Sequence, residues 1–204
     1  ATKQYTKIGV LVDENTFNHC YPLIQPYLPD HFTIKTMSGE EEKNLETCSA
    51  IWREMTDKTM DRHACLIVLG GGVLGDMGGF CAATYKRGID FVLVPTTLLA
   101  QADASIGGKL GIDFNHYKNH IGIFQHPALT MLYGGFLKTL PASELRSGFA
   151  EIIKHALISD KALWKEISAK SLAEQNWDSL IQHSVQFKAK VTTEDPTEKG
   201  LRKI

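Results

Sequence analysis

Short apolar runs alternate with amphipathic stretches from the N-terminus to about residue 140. KIGVLVD (7–13) is rich in β-branched residues and ends at Asp13-Glu14-Asn15-Thr16; HFTIKTM (31–37) reads as a second strand, and ACLIVLG (64–70) as a third. Between the last two, CSAIWREMTDKTMD (48–61) carries apolar residues at helical spacing. GGFCAATYKRG (78–88) is compatible with a helix closed by Gly88, and IDFVLVP (89–95) is a further strand ended by Pro95. That rhythm predicts an α/β fold with a parallel sheet. From Pro141 onward the texture changes: ASELRSGFAEIIKHALISDKALWKEI and WDSLIQHSVQFKAKVTTED are amphipathic, with no strand run between them. The expected division is therefore an α/β domain over residues 1–141 and a helical one over 142–204. No internal repeat or low-complexity tract interrupts it.

Composition narrows the setting. The 204 residues are 43% hydrophobic and 22% charged with a net charge of −1, which is ordinary for a globular chain. Dispersed lysines and a balanced charge argue against a nucleic-acid partner. Cys20, Cys48, Cys65 and Cys81 show neither C-x-x-C spacing nor disulfide density, so a reducing compartment is expected. No apolar run approaches a membrane span, and the first ten residues are polar where a signal peptide would be apolar. A cytoplasmic protein with no membrane partner is the resulting expectation.

Six glycines fall among the eleven residues from Gly70 to Phe80, directly after the third strand. Gly70, Gly72 and Gly75 satisfy G-x-G-x-x-G, which in a strand–turn–helix setting brings backbone N–H groups and a helix N-terminus up to a phosphate. Tight turns and close helix–strand contacts account for such a cluster equally well. In the ordinary dinucleotide fold the fingerprint follows the first strand and an acid ends the next. Here two strands precede the glycines and Asp90 begins a strand. Asp13 and Asn15, after the first strand, are the alternative ribose contacts.

The segment VPTTLLAQADASIGGKLGIDFNHYKNHIGIFQHP (94–127) adds paired threonines at a strand end, an acid at Asp103, a lysine after paired glycines at Lys109, and Lys118-Asn119. With GGGVLGDMGGFCAATYKRG before it and FLKTLPASELRSGFAEIIKHALI after it, the chain resembles the dehydroquinate synthase family of sugar phosphate cyclases. The likeness runs from DENT near the N-terminus to GLRKI at the end. It implies a Rossmann-like NAD-binding domain followed by the beginning of an all-helical metal and substrate domain. It also implies a homodimer, NAD and zinc (or cobalt) as cofactors, and a small anionic sugar phosphate as substrate.

By that resemblance Asp13 and Asn15 fall at nucleoside contacts, as do Glu40 and Lys43 of the family's G-E-x-x-K. Gly71, Gly72, Val73 and Asp76 match the pyrophosphate and nicotinamide side, and Thr96, Thr97 and Thr139 match further cofactor contacts. Arg87, Lys109, Lys118, Asn119, Lys154, Lys188 and Arg202 match substrate contacts, Arg87 serving the partner subunit's site. Asp103 matches an acid that hydrogen-bonds substrate hydroxyls, and Glu151 a zinc ligand. The implied reaction converts 3-deoxy-arabino-heptulosonate 7-phosphate to 3-dehydroquinate and phosphate. A related cyclase making an inosose or an amino-dehydroquinate, a metal-dependent polyol dehydrogenase and a non-catalytic NAD-binding protein are the alternatives.

Helix geometry supplies an independent reading of Glu151. In GFAEIIKHALI, residues Gly148, Glu151, Lys154 and His155 share one helical face. A rival arrangement therefore has Glu151 and His155 ligating metal together as an i, i+4 pair. In the family, the segment ending GLR continues into L-N-x-G-H-T-x-G-H, whose first histidine is a zinc ligand, and another ligand histidine follows. This chain ends at Ile204, and none of its eight histidines stands at those positions. The expectation is a fragment whose metal site is incomplete and which is inactive alone.

Overall fold

The computed structural model describes residues 4–195, 199 and 200, which divide into two compact units. The first runs up to Thr96 and resumes over Gly108–Tyr133; the second joins Thr97–Gly107 to the chain from Gly134 onward.

In the first unit, β1 (Ile8–Asp13), α1 (Glu14–His19), α2 (Tyr21–Ile24) and β2 (Phe32–Thr36) are followed by α3 (Leu45–Asp57), β3 (Cys65–Gly70), α4 (Gly72–Thr84) and β4 (Asp90–Pro95). An antiparallel hairpin, β5 (Lys109–Phe114) and β6 (Tyr117–Phe124), and a short β7 (Leu129–Thr130) complete it. The main sheet has the order β2-β1-β3-β4-β7, with every pair parallel, as the strand rhythm predicts. β3 is buried at all six positions, which is why it reads as an unbroken apolar run. α3 and α4 pack on the sheet over a core that includes Leu11, Ile51, Met55, Leu66, Met77 and Phe91. The helix starts are locally encoded: Asp13 caps α1, and Asn44 caps α3 by accepting the Thr47 N–H at 2.8 Å.

Besides α1, α2 and β7, which the pattern does not predict, the end of α4 and the hairpin depart from the expected elements. α4 ends at Thr84, short of Gly88, because Lys86 and Arg87 take positive φ of 51° and 72° ahead of Gly88 at 103°. That left-handed run turns the chain back towards β4, fastened by Gly88 N–H to Tyr85 O and Ile89 N–H to Ala82 O. The hairpin is the second departure. Its turn residues Asn115 and His116 have φ of 49° and 67°, the pattern of a primed two-residue turn, and its strands pair Lys109 with Phe124 and Ile112 with Ile121.

The second unit contains a π-helical turn at Ala100–Ala104, α5 (Ala142–Ser159), α6 (Lys161–Ser168) and α7 (Trp177–Glu194), with no strand among the described residues. Pro141 immediately precedes α5, but the division is not a simple cut there: residues 97–107 belong with the helices. The cause is a close approach. A Cβ on Gly148 of α5 would lie 2.4 Å from the Leu99 nitrogen and 2.7 Å from Leu98 Cβ, so only glycine lets α5 lie against this segment. Leu98, Ala102, Phe136, Ile152 and Ala156 are fully or almost fully buried in this unit. Among the described residues no helix is long and apolar enough to cross a membrane.

Candidate functional site

The strand order reverses between β1 and β3, and at such a switch point the strand ends open a crevice for a ligand. At the carboxyl end of β3, Gly71 is the N-cap of α4 with no side-chain cap, which leaves the N–H groups of the first turn to another acceptor. None of the six glycines here adopts a positive φ. Their use is space. A Cβ on Gly78 would meet Leu11 Cδ2 at 2.7 Å and Val68 Cγ1 at 2.9 Å, and one on Gly79 would meet Leu110 at 2.4 Å. Those two seat α4 on the sheet and hairpin, whereas a Cβ on Gly75 would meet nothing within 4 Å.

At the end of β1, Asp13 Oδ1 accepts from Thr16 N at 2.7 Å and Thr16 Oγ1 at 2.9 Å, a capping box that commits one carboxylate oxygen to α1. Asn15 Nδ2 donates to Ser38 Oγ at 2.9 Å, and Ser38 Oγ donates to Glu14 Oε1 at 2.8 Å. The Ser38 hydroxyl holds the Glu14 carboxyl below its ordinary range. Glu14 and Ser38 were not among the residues singled out from sequence; the acid directly after β1 was the available signal. Thr96 is buried, with its N–H on Gly70 O at 3.0 Å.

A second group in this unit centres on Lys43, whose side chain is 4% exposed. Its Nζ donates to Asp76 Oδ2 at 2.7 Å and to Asn119 Oδ1 at 2.6 Å, joining α4 to the hairpin. Burial pushes the Asp76 carboxyl up against the opposing Lys43 charge. Lys118 donates to Glu40 at 3.0 Å, a bond that raises its ammonium above its ordinary value. Asp113, absent from the sequence reading, accepts the Asn119 N–H at 2.7 Å. Lys109 and Arg87 are both exposed, Arg87 within the left-handed run.

In the second unit, the π-helical turn carries Asp103, an irregularity common at functional positions. Asp103 Oδ1 accepts from Lys188 Nζ of α7 at 2.5 Å and stands 3.4 Å from His155 Nε2 of α5. Burial alone would raise its carboxyl, but the His155 hydrogen bond and the Lys188 charge outweigh that and hold it well below the usual carboxylate range. Glu151 pairs with Lys154 on the same face, as the helical spacing predicts. One donor atom each of Asp103, Glu151 and His155 lie within 4.8 Å of one another, a carboxylate and imidazole set of the kind zinc or cobalt accepts. His155 is 2% exposed, and its buried Nδ1 has no hydrogen-bond partner among the described residues. A divalent ion would compete with Lys154 and Lys188 for the two carboxylates. Thr97 also belongs to this unit, where its Oγ1 accepts the N–H of Ala100, the first residue of the π-helical turn, at 3.1 Å; Thr139 Oγ1 donates to Phe136 O. Arg202 lies outside the described residues.

Two family models match consecutive stretches of the chain that meet within α5. A family model described as 3-dehydroquinate synthase N-terminal matches residues 33–147, and one described as 3-dehydroquinate synthase C-terminal matches residues 148–204. The chain is 38% identical to the 3-dehydroquinate synthase of Parabacteroides distasonis, over 98% of this chain and 58% of that one. It is 44% identical to that of Campylobacter concisus, over 97% and 58%. It thus spans little more than half the length of the curated relatives it matches. Among solved structures, 2-epi-5-epi-valiolone synthase (ValA) from Streptomyces hygroscopicus subsp. jinggangensis 5008, with NAD+ and Zn2+ bound, aligns with a TM-score of 0.87 at 30% identity, covering 96% of this chain and 57% of that one.

Proposed function

Because this chain belongs to the 3-dehydroquinate synthase family, we propose that it forms the NAD-binding unit and the first helices of the metal and substrate unit of a 3-dehydroquinate synthase. Such an enzyme is a phosphorus–oxygen lyase of aromatic amino acid biosynthesis, cytoplasmic, acting on 3-deoxy-arabino-heptulosonate 7-phosphate. The observation that carries the reading is the ionised Asp103 held between Lys188 and His155, with Glu151 and Lys154 on the same helix as His155. An acceptor of hydroxyl protons set among ammonium groups suits a substrate that is both a polyol and an anion.

NAD, when bound, would supply a hydride acceptor that returns its hydride within one turnover, and a zinc or cobalt ion would supply Lewis acidity at the hydroxyl being oxidised. Gly71, Gly72 and Val73 would meet the diphosphate through the N–H groups opening α4, which no side chain caps. Asp13, Asn15, Glu40, Thr96, Thr97 and Thr139 would contact the remainder of the dinucleotide. Glu151 would hold the ion, with His155 and Asp103 each offering a further donor atom within 4.8 Å. Asp103, kept ionised by its two partners, would accept a hydrogen bond from a substrate hydroxyl and orient it. Lys109, Lys118, Asn119, Lys154, Lys188 and Arg202 would bind the carboxylate and phosphate, and in a dimer the exposed, left-handed Arg87 would serve the partner's site.

A related cyclase is the second reading, favoured by the valiolone synthase alignment, yet identity to it is 30% against 38% and 44% to proteins named 3-dehydroquinate synthase. The test has two arms. Calorimetric titration of this chain should show NAD binding. A protein carrying this chain together with the further length of its relatives should release phosphate from the heptulosonate phosphate, given NAD and zinc, without net NADH. Net NADH would mark a polyol dehydrogenase, and binding without conversion a non-catalytic nucleotide-binding protein.

A further inference from the structure

We propose that Lys43 is a positioning residue, which clamps the β5–β6 hairpin to the helix opened by the glycine turn, and thereby sets Asn119 against Asp76. The inference rests on the reading of this unit as a NAD site, since that reading is what gives Asp76 and Asn119 something to position. Four bonds make the clamp. Lys43 Nζ donates to Asp76 Oδ2 and Asn119 Oδ1; the Asp113 N–H of β5 donates to Lys43 O at 2.8 Å; and the Asn119 N–H donates to Asp113 Oδ1.

Burial makes the arrangement specific. An ammonium withdrawn from water is costly unless it is paired and hydrogen-bonded, and the two acceptors here come from two other elements, α4 and β6. Asp76 sits on α4 one turn after Gly72, and Asn119 is held at φ 51°, a left-handed conformation that a residue in mid-strand does not adopt unaided. The Lys43 ammonium and the Asp113 carboxylate grip that residue from its side chain and from its backbone. The neighbouring hairpin residues 115–120 are exposed, so no packing around them would hold the same geometry. Two of the three N–H donors of Lys43 are committed in this way, and the residue acts on a ligand through Asp76 and Asn119.

The test uses the full chain and reads hydrogen exchange before any ligand is added. Lys43→Met, similar in length and uncharged, should speed exchange of the amides of residues 117–121 about tenfold or more and leave the β1 and β3 amides protected. Asn119→Ala should do the same, and the double variant should be no worse than either, because one bond is lost in both. In NAD titrations Lys43→Met should bind about tenfold more weakly and Lys43→Arg within about threefold of the parent, at equal protection of the sheet. If Lys43→Met fails to fold, Asn119→Ala and Lys43→Arg carry the test. Unchanged hairpin exchange in Lys43→Met or in Asn119→Ala, or additive effects in the double variant, overturns the clamp. Weaker NAD binding beside an unchanged hairpin would make Lys43 a direct ligand contact. A parent chain that binds no NAD removes the cofactor reading, while the exchange arms still decide whether the clamp exists.

Discussion

At the scale of single residues the informative charges are those that folding removes from water. Asp103 has a folded-state carboxyl pKa below its ordinary 3.8, set by His155 and Lys188 against the opposing effect of burial. A depressed carboxylate contributes stability that is fully present above about pH 4 and is lost as pH falls through the lower folded value. Asp103→Asn should therefore destabilise the chain by roughly 3 kcal/mol at pH 7, since the Lys188 ammonium loses its counter-charge. In urea titrations the gap from the parent should narrow steadily below pH 4. A gap independent of pH would mean that Asp103 is not ionised in the folded protein. Gly75 and Gly78 give a contrasting pair within one motif. Gly78→Ala forces a methyl group against Leu11 and Val68 and should cost about 1–3 kcal/mol, whereas Gly75→Ala enters open space on a helix and should stabilise by about 0.5–1 kcal/mol. Thermal melts of the two variants should shift in opposite directions.

At the scale of elements, one side chain serves a helix and is also a candidate ligand contact. Asp13 caps α1, so Asp13→Ala should cost about 1 kcal/mol of stability whatever it does to NAD. Asp13→Asn keeps a capping oxygen and removes the charge, and its melting temperature should stay close to that of the parent. Comparing NAD affinity in the two variants separates a ribose contact from a lost cap: both should bind more weakly if the charge matters, and only Asp13→Ala if the cap does. The parallel strands β1 to β4 were legible because each is a short run with β-branched residues, and β3, buried on both faces, is apolar throughout, whereas the two-residue β7 is too short to leave a pattern. The hairpin was less legible. Its β6 is exposed at seven of eight positions, so no buried face imprints an alternation, and the turn is written only in Asn115 and His116.

At the scale of the whole molecule, the chain builds its helical unit from two separated segments, and Gly148 is what lets them meet. Gly148→Val should speed hydrogen exchange through residues 97–107 and α5 by well over tenfold. The sheet around β3, which has a core of its own, should keep its protection. Loss of protection throughout the sheet would show that the first unit does not hold its structure independently.

By itself the sequence determined what depends on local pattern: parallel strands with intervening helices, and the shared face of Glu151, Lys154 and His155. Order and spacing of motifs along the chain carried the family as well, because these survive in one dimension. Tertiary structure alone decided which distant residues share a bond. Lys43 meets Asn119 across 76 positions and Asp103 meets Lys188 across 85, and no periodicity encodes a contact at that separation. It also divided the glycines between roles, Gly78 and Gly79 fitting α4 to its neighbours and Gly71 opening a helix end towards the crevice, since what a missing side chain makes room for depends on what the fold brings against it.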